Sequence, residues 1–418
     1  MSSTETKRST ETQHSTEKSF VITLGVLIGL SPLAVDLYLP SMPTIAQDLN
    51  ASPAAVTQTL SVYLACFALP QLVFGPLSDA WGRRFSMFTG LGIFLLGSIA
   101  CALASDITEL ILARGLQGIG SAAIIVTVPA LVRDRYRNEE FARIMGIVMM
   151  VMAIAPLVAP LVGGFILTLS GWRANFVLLA VLAGLSLLLF RLQIGESLAK
   201  ARRIPFRPAT LLRNYGALVR HGRSLCFILC SGFAFGGMMS FLSASPFVYI
   251  ELYGVSELKY GLLFACNILA MMAFTVVGNR FVRRTGSHRM LGLAMCVMLA
   301  ATGVMFALML IGRPPLPVVV LSVMLFVGTN GVISANSMAL VMARFAAISG
   351  SASAMAGSMR FGAGALAGVV VSILHDGTAW PMFAVMMGCG AGAIVFYLLG
   401  TLLSWRHTET GEWQPQGQ

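Results

Sequence analysis

Charge is scarce in this sequence. Asp, Glu, Lys and Arg make up only 11% of 418 residues, against about a quarter of a soluble domain. Lysine is scarcer still. Lys7, Lys18, Lys200 and Lys259 are the full set, and none follows a glycine. A Walker A loop needs Gly-Lys, so ATP hydrolysis through a P-loop is excluded. The histidines, His14, His221, His288, His375 and His407, are scattered and never paired at metal-ligand spacing. No G-x-S-x-G elbow is present. Cys66, Cys101, Cys226, Cys230, Cys266, Cys296 and Cys389 form no CxxC pair and lie in apolar runs, so they read as small buried hydrophobes. No cofactor, metal site or catalytic set is expected, and an enzyme is disfavoured.

Apolar residues are what the chain has in abundance. They reach 57% and mean hydropathy is +0.82, too much apolar surface for a water-soluble protein of this size. The solvent for most of the chain is lipid. A helical span needs about 20 apolar residues. Twelve candidate spans cover about 19–40, 54–77, 84–104, 107–131, 141–168, 172–194, 224–250, 257–280, 288–310, 316–342, 350–375 and 379–404. The fold class is therefore an all-α membrane protein with two six-helix bundles, 19–194 and 224–404. A basic cytoplasmic linker, 195–223, joins them. Polar tails, 1–18 and 405–418, flank them, and the first span is retained rather than cleaved.

The net charge of +11 would suggest nucleic acid in a soluble protein, but its distribution argues otherwise. With both termini inside, 23 of the 28 Lys and Arg fall in inner segments and three in outer loops. That bias sets orientation with both termini cytoplasmic and leaves no call for nucleic acid. The linker's own basic run reads as a solvated segment near anionic headgroups, or else as a regulatory site. An internal repeat shows in GPLSDAWGRRF (75–85) and NRFVRRTGSHR (279–289), which align on Gly82 and Gly286 as Arg-rich turns.

Three ionisable residues lie away from span ends, where charge is costly and marks function. Asp36 lies about 6 Å, and Arg114 about 10 Å, from the outer ends of spans one and four at 1.5 Å per residue. If those spans face one cavity, the two could approach each other or share a water chain. Arg360 sits about 15 Å from the inner end of span eleven. Span two carries Thr59, Tyr63, Phe67, Gln71 and Gly75 at four-residue steps, one helical stripe. That stripe suits either a cavity for amphipathic molecules or helix packing.

At these residues a family resemblance appears. GPLSDAWGRR, with Gly75, Asp79, Gly82, Arg83 and Arg84, resembles the signature loop of the major facilitator superfamily. Arg114, Gln117 and Gly118 resemble the R-x-x-Q-G motif of its proton-coupled drug exporters. Gly146, Ala155, Ala159, Pro160, Gly163 and Gly164 resemble the antiporter motif G-x8-G-x3-GP-x2-GG, with alanine at two of its glycines. DLYLPSMP (36–43), FLSASPFVYIE (241–251) and GSMRFGAGALAG (357–368) are similar to the bicyclomycin and chloramphenicol resistance (Bcr/CflA) branch.

The resemblance implies a bacterial inner-membrane antiporter, a monomer whose partners are drug, protons and lipid. It exports small amphipathic drugs as protons enter. Asp36 is then the proton and substrate site, or else an interfacial cap before Pro40. Arg114 and Gln117 polarise or orient it, or else satisfy freed carbonyls. Apart from the resemblance, Tyr38, Tyr63, Phe67, Gln71, Phe235, Met239, Asn267, Asn336 and Arg360 are candidate residues of the substrate cavity; the alternatives are helix packing for the span-two stripe, a lipid-facing position for the span-seven residues, and bonds to neighbouring carbonyls or serines for Arg360. The 75–84 loop is a gate latch in which Asp79 pairs with an arginine or caps a helix; alternatively it is a structural turn. Gly146, Pro156, Pro160, Gly163 and Gly164 form a bend that seals against proton leak, or else ordinary close packing. The rival functions are metabolite export, solute uptake and a membrane-embedded enzyme.

Overall fold

The computed structural model describes residues 20–312, 314–345 and 348–406. The expected tail at 1–18 lies outside them, as does the expected 405–418 tail beyond Arg406, which still belongs to the last helix. Helix α1 covers 20–36, and a 3-10 turn at Leu39–Ser41 leads to α2 (Met42–Asp48). The remainder of the first half is α3 (Pro53–Trp81), α4 (Arg83–Leu103), α5 (Ile107–Arg135), α6 (Asn138–Ser170) and α7 (Arg173–Gln193). The segment between the halves contains α8 (Pro208–Arg220). The second half is α9 (Gly222–Pro246), α10 (Glu257–Ile311), α11 (Leu316–Met342), α12 (Ser349–Ile373) and α13 (Trp380–Arg406). A wide helical turn, Phe247–Leu252, follows α9.

Among the described residues, eleven helices are long and apolar enough to cross a bilayer. One of them, Glu257–Leu308, has 52 residues, about 78 Å at 1.5 Å per residue and far more than one crossing requires. It is two spans. The break falls at Gly286, whose φ of 77° and ψ of 158° are not helical. Gly82, between α3 and α4, has φ 103° and ψ 156°. The two glycines aligned from sequence thus adopt the same left-handed turn, one that only a residue without Cβ enters readily. Beyond Gly286 the chain folds back, so that Met290 lies 3.6 Å from the Cβ position of Gly278.

Each bundle buries one side of its helices and shows apolar residues on the other. Leu103, Leu192 and Ile373 are each more than 70% exposed, the surface expected where lipid is the solvent. The basic turns at Gly82 and Gly286 share one face with the linker; the short connections after α2, α4 and α6 share the far face.

The halves pack through α3 with α12 and α6 with α10. Small residues permit this. A Cβ on Gly261 of α10 would stand 3.1 Å from the Leu161 backbone of α6, and one on Gly164 would stand 3.2 Å from the Glu257 carbonyl. On the far face, Gln58 donates to Ser372 Oγ (3.3 Å), which donates to the Ala54 carbonyl (2.9 Å). Nearby, Thr57 donates to the Ser243 carbonyl at 3.4 Å. Gly163 is tighter still, because its Cβ would collide with the Leu37 carbonyl. Gly146, nearer the linker face on the same helix, has open space at that position. Within the expected bend, Gly163 and Gly164 therefore serve close approach, while Gly146 does not.

This difference yields a test. Gly163→Ala should lower the melting temperature of the purified protein, because overpacking strain costs about 1–3 kcal/mol. Gly146→Ala should leave it unchanged. Equal melting of the two variants would contradict the packing described.

Candidate functional site

A cavity with about 770 Å³ of empty space, open solvent included, lies between the halves. The first half contributes Asp36, Tyr63 and Phe67, with Pro156 of α6; the second contributes Met239 and Asn267, with Phe361. The walls are otherwise mostly apolar. Phe67 and Phe361 meet edge to face across the boundary, their centroids 4.5 Å apart. Asp36 is 4% exposed and has no hydrogen bond or ion pair among the described residues. Opposite it in chain origin, Asn267 donates to the Leu263 carbonyl at 3.0 Å, while its Oδ1 is buried without a partner. The Ser31 hydroxyl, also in the lining, is unpaired. The cavity thus offers a carboxylate and unused polar groups within an apolar shell.

Asp36 is the last helical residue of α1, and the break that follows turns Tyr38 off the face that continues from it. Tyr38 does not line this cavity as the sequence suggested. Its hydroxyl pairs with Thr59 at 3.1 Å and its ring packs on Phe176. Arg114 is fully buried beside it. The guanidinium carbon stands 4.4 Å from the ring centroids of both Tyr38 and Tyr63, a double cation–π contact. Nη1 donates to the Ala34 carbonyl at 2.9 Å and to Gln117 Oε1. That carbonyl belongs to the last turn of α1, whose acceptors the helix itself leaves free. Gln117 continues the chain to Ser98 Oγ at 2.8 Å, and Ser98 donates to the Phe94 carbonyl.

Asp36 and Arg114 form no direct ion pair among the described residues. Arg114 and Gln117 point into the first bundle and tie α1, α4 and α5 together. Their link to Asp36 is Tyr63, which forms both the wall of the cavity and one side of the arginine clamp. Tyr63 is itself fixed by donating to Ser121 Oγ at 2.7 Å.

The other expected lining residues sit elsewhere for identifiable reasons. Gln71 turns back to the Phe67 carbonyl and packs where α3 meets Gly357 of α12. Phe235 is edge to face with Phe361 at 5.0 Å, one layer behind the cavity. Asn336 donates to the Val332 carbonyl on its own helix. Arg360 faces a separate pocket on the linker side of the second half.

The 75–84 loop forms a clamp at the linker face. Arg83 reaches Asp79 Oδ1 at 2.6 Å and Asp134 Oδ2 at 2.9 Å. Glu196 accepts from the backbone N–H groups of Arg83 (3.0 Å) and Arg84 (3.3 Å), placing a carboxylate on the positive end of α4. The same Glu196 pairs with Arg203 at 3.5 Å, and Asp79 O accepts from Ile204 N–H at 3.2 Å. Asp79 does pair with an arginine, but Glu196 is the helix cap. Every partner belongs to the first bundle or the adjoining linker, so in this conformation the loop does not latch the two halves to each other. Asp134 and Glu196 were not identified from sequence. They lie 51 and 113 residues from Arg83, too far for any local pattern to join them. Gly75 meets nothing, and the Arg84 guanidinium lies 5.4 Å from the Phe88 ring.

Two bundles joined by a linker around an amphipathic cavity define a membrane transporter rather than an enzyme. Residues 24–368 match the Major Facilitator Superfamily, and the chain belongs to that family. It is 33% identical over 380 residues to a bicyclomycin resistance protein homolog of Haemophilus influenzae, covering 90% of this chain and 95% of that one. It is 29% identical over 376 residues to a chloramphenicol resistance protein of Pseudomonas aeruginosa, covering 87% and 86%. A crystal structure of a peptide transporter with bound sulfate superposes with a TM-score of 0.74 at 16% identity, over 92% of this chain and 94% of that one.

The clamp separates its two arginines experimentally. Arg83→Gln should destabilise the purified protein by about 1.5–3 kcal/mol, the range for hydrogen bonds to charged groups. Arg84→Gln should stay within about 0.5 kcal/mol. Thermal melting of both variants checks this.

Proposed function

We propose that the protein exports small amphipathic drugs of the chloramphenicol and bicyclomycin kind across the bacterial inner membrane in exchange for protons. Asp36 is the coupling group, and the linker face is cytoplasmic. The observation that carries this reading is an unpartnered carboxylate in an apolar cavity lined by both halves. Resistance proteins among the relatives support the cargo class.

The physical logic is exchange at one group. A bare carboxylate in an apolar site is costly unless something compensates it. A proton does so, and so does a polar or cationic part of the drug aided by Asn267 Oδ1. Either state can therefore pass through the closed form, while the empty ionised site resists it. Tyr63, held by Arg114, keeps the wall beside Asp36 rigid. Rocking of two repeats about a central site then exposes it to each face in turn. One charge moving down 100 mV releases about 2.3 kcal/mol, before any pH gradient is added.

The test is proton release from purified protein on adding chloramphenicol, with wild type beside Asp36→Asn. Wild type should release protons. The variant should lose at least nine-tenths of that signal while melting at the wild-type temperature. Normal drug-driven release from folded Asp36→Asn would remove Asp36 from the mechanism. No release from folded wild type would redirect the reading to a metabolite cargo.

A further inference from the structure

On the linker side of the second half lies another pocket, with about 440 Å³ of empty space. Arg360 of α12 projects into it. Around it stand Ser231 of α9, Ser334 and Ser337 of α11, and Ser353 of α12. No acidic side chain lines it. The guanidinium is only partly satisfied. Nη1 donates to Ser334 Oγ at 2.6 Å, and one face covers the Phe235 ring at 4.4 Å. Nε is buried with no partner.

A cation within a membrane-spanning bundle is normally paired, and an unpaired one is costly. Arg114 shows how this chain treats an arginine with a structural task. Its Nε and Nη2 are unpaired too, but a carbonyl, an amide and two tyrosine rings enclose its fully buried guanidinium. Arg360 has one hydroxyl, one ring and open space. The groups left over are guanidinium N–H donors and serine hydroxyls, all able to donate to one acceptor-only group. The planar fork of a guanidinium matches a carboxylate in shape and charge. Phe361 lines both this pocket and the Asp36 cavity. A molecule bound by its acid at Arg360 therefore has an apolar wall, and then the larger cavity, next to it.

We propose that the Arg360 pocket is an anion subsite that takes the carboxylate of the cargo. The substrates of this transporter then include small amphipathic acids, held by Arg360 while their apolar portion lies against Phe361. This rests on the transport reading above and extends it from neutral drugs to carboxylates.

The test uses full-length protein in nanodiscs and two probes that differ only at one end, N-acetylphenylalanine and its amide. Calorimetry should show wild type binding the acid at least tenfold more tightly than the amide. Arg360→Gln should bring that ratio to near one, and Arg360→Lys should retain part of it. Inorganic phosphate at the same concentration should not displace the acid. Equal binding of acid and amide by wild type would overturn the proposal. So would an unchanged ratio in Arg360→Gln, or a loss of both probes in equal measure, which marks a structural arginine. Displacement by phosphate would make this a site for inorganic anions and overturn the cargo assignment. Acid preference without chloramphenicol-driven proton release would sink the drug reading and leave the subsite standing. The opposite pair of results would sink the subsite alone.

Discussion

A bilayer offers no hydrogen bonds, so every polar group that enters it must find its partner within the protein. Most of the interior follows from that constraint. Where α1 ends inside the first bundle it leaves carbonyls free, and Arg114 answers one of them. Holding Arg114 then requires Tyr38, Tyr63 and Gln117, and Gln117 requires Ser98. A single break in a helix thereby organises side chains from three further helices and the turn after α1. Several buried groups, two nitrogens of Arg114 among them, keep unpaired atoms all the same, and those beside empty space are the informative ones. Asp36, Asn267 and Arg360 each keep capacity unused, and each borders empty space.

The two halves carry the same backbone plan with different chemistry. Gly82 and Gly286 make the same turn at equivalent places. Around Gly82 the sequence supplies Asp79, Asp134 and Glu196, and Arg83 is anchored. Around Gly286, Arg283 stands where Asp79 does in the repeat, and it makes no ion pair among the described residues. The first half is the more tightly tied at the linker face. The cavity carboxylate, Asp36, also belongs to that half. The second half supplies Asn267, Met239 and the adaptable wall.

Much of this was legible in the chain. Twelve apolar runs, two Arg-rich turns and the small residues of α6 led to the fold and the family. The spans that contain Arg114 and Arg360 were legible because arginine interrupts them only once each. What escaped was set by packing across long sequence separations. Glu196 caps α4 through a contact that no local pattern encodes. Tyr38 was expected to line the cavity; the turn at residues 37–41 sends the ring toward Arg114 of α5 instead. Gln71 follows the α3 stripe correctly, yet α12 comes so close at Gly357 that the side chain meets helix rather than cavity. The stripe marks the inner face of α3, and only the partner helix decides which part of that face stays open.

The central claim is that the halves separate at the far face during each cycle, around a cavity that they share. A reversible cross-link there tests it most directly. Gln58 and Ser372 touch across that face, so cysteines at these positions, in a background lacking the seven native ones, can join α3 to α12. Transport by reconstituted protein should stop on oxidation and return on reduction, while chloramphenicol binding persists in the joined form. Undiminished transport by fully cross-linked protein would contradict the account.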